Sequence, residues 1–383
     1  MTVAAAGFVS VEELVEAART RTGAGSNESF EHLDALEALT SAIAGEARLT
    51  PSGVQVAANA LVSALAVQVA VRRSLERHPE IAAGPDARLV FVTGLPRTGT
   101  TLVHNLLARH PAVHCPRLWE LMAPAGSRDV REHARLAAQA QAWLDEFYAI
   151  APRLPAIHPM GAHRPDECHR LLGHAFQSMI YPTRYRVPSY SAWLRERDMR
   201  AAYEFHRVQL ASIMWRAPAE VAGLKCPFHL WHLGALRTVY PEAKVVMLHR
   251  DLTAVVPSLC SLSSVIRAAR SDDVDKREVG AFWLSEVEHA AADLLLRREL
   301  PSNEGVLDVR YVDLTSDTIG TMQRVFEFID VPPSHATEKS IRRWIAENPA
   351  DKHGRHRYTP EEFGLDPSEL AERFAAYRAA YAV

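Results

Sequence analysis

The stretch Leu89-Val-Phe-Val-Thr93 followed by Gly94-Leu-Pro-Arg-Thr-Gly-Thr-Thr101 constrains the fold more than any other part of the chain. A short continuous apolar run predicts a strand buried on both faces. Leu102 to Arg109 then reads as a helix. A buried strand that turns through glycines into a helix aims loop amides and the helix N-terminus at one point, which makes an anion site. Gly94 and Gly99 permit the tight backbone path. Thr100 and Thr101 add hydroxyl donors, and Arg97 brings a forked cation suited to phosphate oxygens. The spacing is that of a Walker A loop, G-x-x-x-x-G-K-[ST], but Thr100 stands where the lysine would be. The loop lacks the residue that grips the terminal phosphates of ATP.

Three further segments read as strands: Glu220–Lys225, Lys244–His249 and Gly305–Arg310, with helical sequence between them. Strands alternating with helices predict an α/β fold, a P-loop-NTPase-like parallel sheet flanked by helices. Residues 1–85 read as a helical N-terminal extension packed on the core. Ser10-Val-Glu-Glu13 has the form of a capping box, and Thr50-Pro51 starts a long helix. Residues 86–383 form the α/β domain, with a helical insertion at about 125–215 interrupted at 152–165 and 181–191. A basic loop near 349 precedes a last helix. Pro51 to Val71 carries no charge over about the length of a bilayer span. Its polar residues (Ser52, Gln55, Asn59, Ser63 and Gln68) recur as a stripe, so an amphipathic helix on a globular core is expected, not a transmembrane span.

A net charge of −3 gives no global field for nucleic acid or acidic membranes. The four cysteines are scattered without a C-x-x-C pair, which fits a reducing, cytoplasmic setting. The N-terminus has no basic n-region and is not read as a secretory signal. His158, His163, Glu167, Cys168, His169 and His174 match neither H-E-x-x-H nor a C-x2-C…H-x3-H pattern, so no metal is expected.

A second anion site follows from Val245-Val-Met-Leu-His-Arg250. The strand ends at Arg250, and Ser258 lies eight residues on, in the next helix. Arginine neutralises a phosphate dianion and serine adds a hydrogen bond.

With both sites in view, the chain resembles the sulfotransferases that use 3′-phosphoadenosine 5′-phosphosulfate (PAPS) and release 3′,5′-ADP (PAP). Pro96-Arg-Thr-Gly-Thr-Thr101 resembles their 5′-phosphosulfate loop, in the arginine form seen in tyrosylprotein sulfotransferases and bacterial relatives. The resemblance covers about residues 88–260 well, with weaker echoes to 378. It implies that Pro96, Arg97, Thr98, Gly99, Thr100 and Thr101 hold the 5′-phosphosulfate, and that Arg250 and Ser258 hold the 3′-phosphate. Pro257 beside Ser258 departs from the pattern. Arg310-Tyr-Val-Asp-Leu314 is similar to a step that puts Tyr311 near the adenine. Lys352, Arg355 and Arg357 lie in a basic loop that bacterial relatives carry near the 3′-phosphate.

Sulfuryl transfer builds negative charge on the bridging and equatorial oxygens, so it requires cations there and a base for the acceptor hydroxyl. Arg97 is one such cation. Lys225, in Gly223-Leu-Lys-Cys-Pro-Phe-His229, resembles the family's catalytic lysine. The base stays open among Glu120, His229 and Glu167. The implied function is transfer of a sulfuryl group from PAPS to a hydroxyl, less readily an amine, of a small-molecule, lipid or carbohydrate acceptor, with no metal required. Aromatic residues between 143 and 205 suit an apolar acceptor. Two other functions compete. A P-loop-type kinase would need the missing lysine and a Walker B Asp, for which Asp251 is the nearest candidate. A non-catalytic nucleotide-binding module would have no use for Lys225 at a strand end. Acceptor identity and oligomeric state are not legible.

Overall fold

A computed structural model describes residues 8–298, 304–349 and 357–383. Five parallel strands form one sheet in the order β2-β3-β1-β4-β5: β1 Arg88–Gly94, β2 Val113–His114, β3 Val221–Lys225, β4 Lys244–His249 and β5 Val306–Arg310. The expected parallel α/β sheet is present, with β1 in the middle. Strand β2 was not expected, because two residues on a sheet edge show no periodicity.

The central strands are apolar on both faces, since helices cover both. Phe91, Val245, Met247 and Leu224 face one cluster. Val90, Val92, Val246 and Leu248 face the other, where helix α4 (Thr100–Leu107) contributes Val103, Leu106 and Leu107. On the first face lie the N-terminal helices α1 (Val11–Thr22), α2 (Leu33–Glu46) and α3 (Pro51–Arg77).

Local chemistry sets the helix starts. Ser10 accepts from the Glu13 amide at 3.2 Å, and Glu13 accepts from the Ser10 amide at 3.0 Å, a complete capping box. Thr50 caps α3 by accepting from the Gly53 amide at 3.0 Å. Helix α3 is long and apolar enough to cross a membrane, yet half of its most apolar window is buried inside the protein. Asn59 and Ser63 are exposed along it, whereas Gln68 is buried and donates to the His174 carbonyl at 2.9 Å. At Gly53 a Cβ would lie 2.0 Å from the Arg270 carbonyl oxygen, so α3 touches the neighbouring chain at a point only glycine permits.

Helices from Val130–Ile150 to Arg200–Arg216 fill the stretch read as the insertion, but the interruptions differ, and the one read at 152–165 holds the short helix Leu154–Ile157. The interruption read at 181–191 holds parts of two short helices, Ile180–Arg184 and Pro188–Arg195. Proline at N1 starts the second, where its missing N–H costs nothing.

Strand register brings the chemistry together. Lys225 pairs with Val92, Gly94 with Leu248, and His249 with Arg310. The residues that follow β1, β3, β4 and β5 therefore all emerge at the carboxyl edge of the sheet. This is where open α/β sheets bind ligands.

Candidate active site

The loop after β1 runs from Gly94 (φ 137°) through Arg97 (φ 73°) and Gly99 (φ 98°) into α4. Each glycine is required. A Cβ on Gly94 would lie 2.4 Å from the Leu248 carbonyl oxygen, and one on Gly99 would press on Tyr311 and Leu314 at 3.0 Å. Arg97 is not glycine, so its left-handed backbone stores strain of about 1–3 kcal/mol. Its neighbours hold it there. Arg97 Nε donates to Ser258 Oγ at 3.1 Å, its Nη1 donates to the Ile157 carbonyl at 3.0 Å, and its own carbonyl accepts from Arg250 at 2.8 Å. Arginine and serine from the two sequence motifs are thus in direct contact. Pro257 lies inside helix Leu252–Ala268 and does not move Ser258 away.

Leu102 and Val103 donate to the Gly99 carbonyl. Among the described residues, no amide from Arg97 to Thr101 donates to a backbone carbonyl, as expected for the first turn of a helix facing a ligand. Thr98 is spent internally: its hydroxyl donates to the Leu95 carbonyl at 2.7 Å. Arg250 lies over the Tyr311 ring at 4.3 Å. Neither Arg97 nor Arg250 has a carboxylate partner among the described residues. Two uncompensated guanidiniums beside a cradle of free amides suit a ligand with two anionic groups. Arg357 is exposed, and Lys352 and Arg355 lie outside the described residues.

These groups line a cavity of about 590 Å³ above the carboxyl edge. Pro96, Arg97, Gly99, Thr100, Thr101, Glu167, Arg250 and Tyr311 all reach it. Opposite the loop, the wall is mostly apolar: Trp143, Phe147 and Leu154 from the helical insertion, Phe228 from the turn after β3, and Leu262 and Ile266 from helix Leu252–Ala268.

Just beneath the cavity lining, buried Lys225 donates to two residues that do line it, to Glu167 Oε1 at 2.5 Å and to Thr101 Oγ1 at 3.4 Å. His169 Nδ1 meets the other Glu167 oxygen at 3.2 Å, and His158 Nε2 lies 4.0 Å from Oε1. Burial alone would raise the Glu167 carboxyl. The Lys225 ammonium and the His169 hydrogen bond outweigh it and hold the group well below the usual carboxylate range. His169, desolvated despite its bond to Glu167, is pushed down to about 4 and stays neutral near pH 7.

The other two candidate bases lie elsewhere, and neither lines the cavity. Glu120 reaches back to the Arg117 amide at 2.7 Å and meets His114 at 3.2 Å, anchoring the turn after β2. His229 is fully buried between Cys168 Sγ at 3.0 Å and the Tyr203 hydroxyl at 2.9 Å. Cys168, His206 and His229 offer ligand atoms within 4.8 Å of one another, as do Glu167, His169 and Cys226. His158, His169 and Arg184 at the cavity wall carry no sequence signature, because the insertion has no regular spacing that marks its inward face.

A parallel sheet with a phosphate-type loop after its central strand, and cations on its carboxyl edge, defines an α/β protein of P-loop-like architecture. The chain belongs to the sulfotransferase family, whose pattern residues 90–335 match, and it is a sulfotransferase enzyme. It is 25% identical over 310 residues to omega-hydroxy-beta-dihydromenaquinone-9 sulfotransferase Stf3 of Mycobacterium bovis, covering 75% of this chain and 74% of that protein. The crystal structure of sulfotransferase STF1 from Mycobacterium tuberculosis H37Rv superposes with a TM-score of 0.83 at 28% identity, over 96% of this chain and 99% of that one. Sulfotransferase STF9 from Mycobacterium avium gives 0.86 at 26% identity, over 98% and 97%. These matches remove the kinase and the non-catalytic module from consideration. The family implies a PAPS donor.

Proposed function

We propose that this enzyme transfers the sulfuryl group of PAPS to a hydroxyl of an apolar, lipid-like acceptor, with Glu167 as the base. The observation that carries the reading is the meeting of Arg97, Arg250 and the Lys225–Glu167 pair at one end of a largely apolar cavity. Stf3, at 25% identity, is by its name a sulfotransferase of a hydroxylated menaquinone, which agrees with an apolar acceptor.

In this reading the donor supplies an electrophilic sulfuryl group on a 5′-phosphate. Thr100, Thr101 and the free loop amides bind the 5′-phosphosulfate, with Arg97 across it. Arg250 and Ser258 hold the 3′-phosphate, and Tyr311 packs beside the adenine. No β- or γ-phosphate needs the Walker lysine, so Thr100 suffices in its place. Lys225 is close enough to Thr101 to reach the bridging oxygen, where leaving-group charge develops. Glu167 is ionised and oriented by His169 and accepts the acceptor proton. The apolar walls around Phe147, Leu262 and Ile266 exclude water, which limits hydrolysis of the donor.

Thermal shift separates this reading from ATP chemistry. At 100 times its Kd, 3′,5′-ADP is expected to add about 2.7 kcal/mol of stability without any metal. ATP with Mg²⁺ should add little. The opposite order would end the PAPS reading.

Arg250→Ala tests the second phosphate site. The variant is expected to bind 3′,5′-ADP and 5′-AMP about equally, losing the ~10-fold or greater preference that one charged hydrogen bond of about 1.5–3 kcal/mol confers. A preference that survives places the 3′-phosphate elsewhere.

A further inference from the structure

Arg184 ends the short helix Ile180–Arg184 and lines the same cavity, between the helical insertion and helix Leu252–Ala268. Arg170, also on the wall, is neutralised by Asp166 at 2.8 Å and lies over the Trp143 ring. Arg184 has no hydrogen bond or ion pair with any described residue. The strongest charged neighbours acting on it are cations, Arg170 and Arg270. Arg270 has no carboxylate partner among the described residues either: it donates to the Ile266 carbonyl at 2.9 Å and lies over the Phe147 and Tyr185 rings. Burial lowers Arg184 to about 10, with Tyr185 opposing and the two arginines adding to the fall. It therefore stays charged at neutral pH.

An unpaired guanidinium inside an apolar cavity is costly unless a ligand supplies the counter-charge. The donor anions are already met at the strand edge by Arg97 and Arg250. Glu167 is engaged by Lys225 and His169 and does not pair with Arg184. Apolar side chains share the cavity lining with the cation, among them Phe147, Leu154, Ile180, Leu262 and Ile266.

We propose that Arg184 is a specificity residue that binds a carboxylate on the acceptor, which is therefore an apolar molecule carrying both a hydroxyl and a carboxylate. The proposal rests on the apolar-acceptor reading above and narrows its substrate class. The planar fork of arginine matches a carboxylate through two parallel hydrogen bonds. Selectivity comes from desolvation. A neutral ester in the same place leaves the guanidinium without a counter-ion, and an acid in a cavity lacking Arg184 leaves the carboxylate without one.

Calorimetric titration of the full chain decides it, with and without saturating 3′,5′-ADP. The probes are 12-hydroxydodecanoate, its methyl ester and 1-dodecanol. The wild-type protein is expected to bind the acid about 10-fold or more tightly than the ester, the worth of one charged hydrogen bond. In Arg184→Gln that preference should fall to within about twofold, and in Arg184→Lys, which keeps the charge, it should fall only partly. The affinity for 3′,5′-ADP should be unchanged in both variants.

Equal binding of acid and ester by the wild type would overturn the proposal. So would a failure to bind the acid, or a preference that persists in Arg184→Gln. Weakened 3′,5′-ADP binding in Arg184→Gln would overturn it as well, by assigning Arg184 to the donor. A wild-type protein indifferent to 3′,5′-ADP would sink the donor reading instead, and the nucleotide-free titration would still decide Arg184.

Discussion

Glu167→Gln is expected to lower kcat by about 10²- to 10⁴-fold, the usual worth of a positioned base, while 3′,5′-ADP affinity stays within about threefold. The carboxylate touches Lys225 and His169 and opens on the cavity, but none of Arg97, Thr100, Thr101, Arg250 and Ser258 hydrogen-bonds to it. The pH profile supplies a second reading. Because Glu167 is held below the usual carboxylate range, it is already ionised at neutral pH. kcat/KM should therefore stay flat as pH falls from about 8 to about 5, below the ordinary histidine value near 6.5. A limb near 6.5 would assign the proton to a histidine and remove Glu167 from the role. Parallel substitutions sharpen the choice. Glu120→Gln and His229→Asn should lower the melting temperature and leave kcat of the folded fraction near wild type, since neither residue reaches the cavity. A kcat loss as large as that of Glu167→Gln in either one would reverse the assignment.

Lys225→Met should be the most damaging single change, because it acts on both stability and turnover. Lys225 is 2% exposed, and its ammonium is the main group compensating the buried Glu167 carboxylate. Breaking a buried pair by removing one partner costs about 3–5 kcal/mol, since the survivor remains charged and unpaired. The double variant Lys225→Met with Glu167→Gln removes both charges and should recover most of that loss. It should recover no activity. Denaturant unfolding of the four proteins gives the coupling directly. Additive stability losses would show that the pair does not interact as its 2.5 Å contact indicates.

The linked pH effect has a definite sign. A depressed folded pKa makes Glu167 stabilising above its unfolded value, near 4.3, and that contribution is lost as pH falls through the folded value. Acid unfolding of the wild type should thus be steeper than that of the double variant, which lacks the group.

The two candidate phosphate motifs were legible because each is a strand, a turn and a helix in unbroken sequence. The left-handed loop residues, the strand-end arginine and the following serine are placed by local backbone geometry alone. The position of Arg97 against Ser258, 161 residues away, then follows from β1 pairing with β4. The candidate base was not legible. Glu120, Glu167 and His229 are all plausible by type and by distance from a motif, and only packing separates them. Glu120 turns back to its own helix start, His229 sinks beneath the floor, and Glu167 meets Lys225.

The amino-acid sequence by itself determined the parallel α/β class, the glycine loop without its lysine, the strand-end Arg250 and the helices α1 and α3 that their caps start. These depend on glycine sterics, on apolar runs buried on both faces, and on caps within a few residues of each other. Tertiary structure alone decided which carboxylate is ionised beside Lys225 and which walls line the cavity. It alone also leaves Arg184 without a counter-ion among the described residues. Those outcomes turn on desolvation and charge pairing between residues tens to hundreds of positions apart, and such contacts leave no periodicity in the chain that makes them.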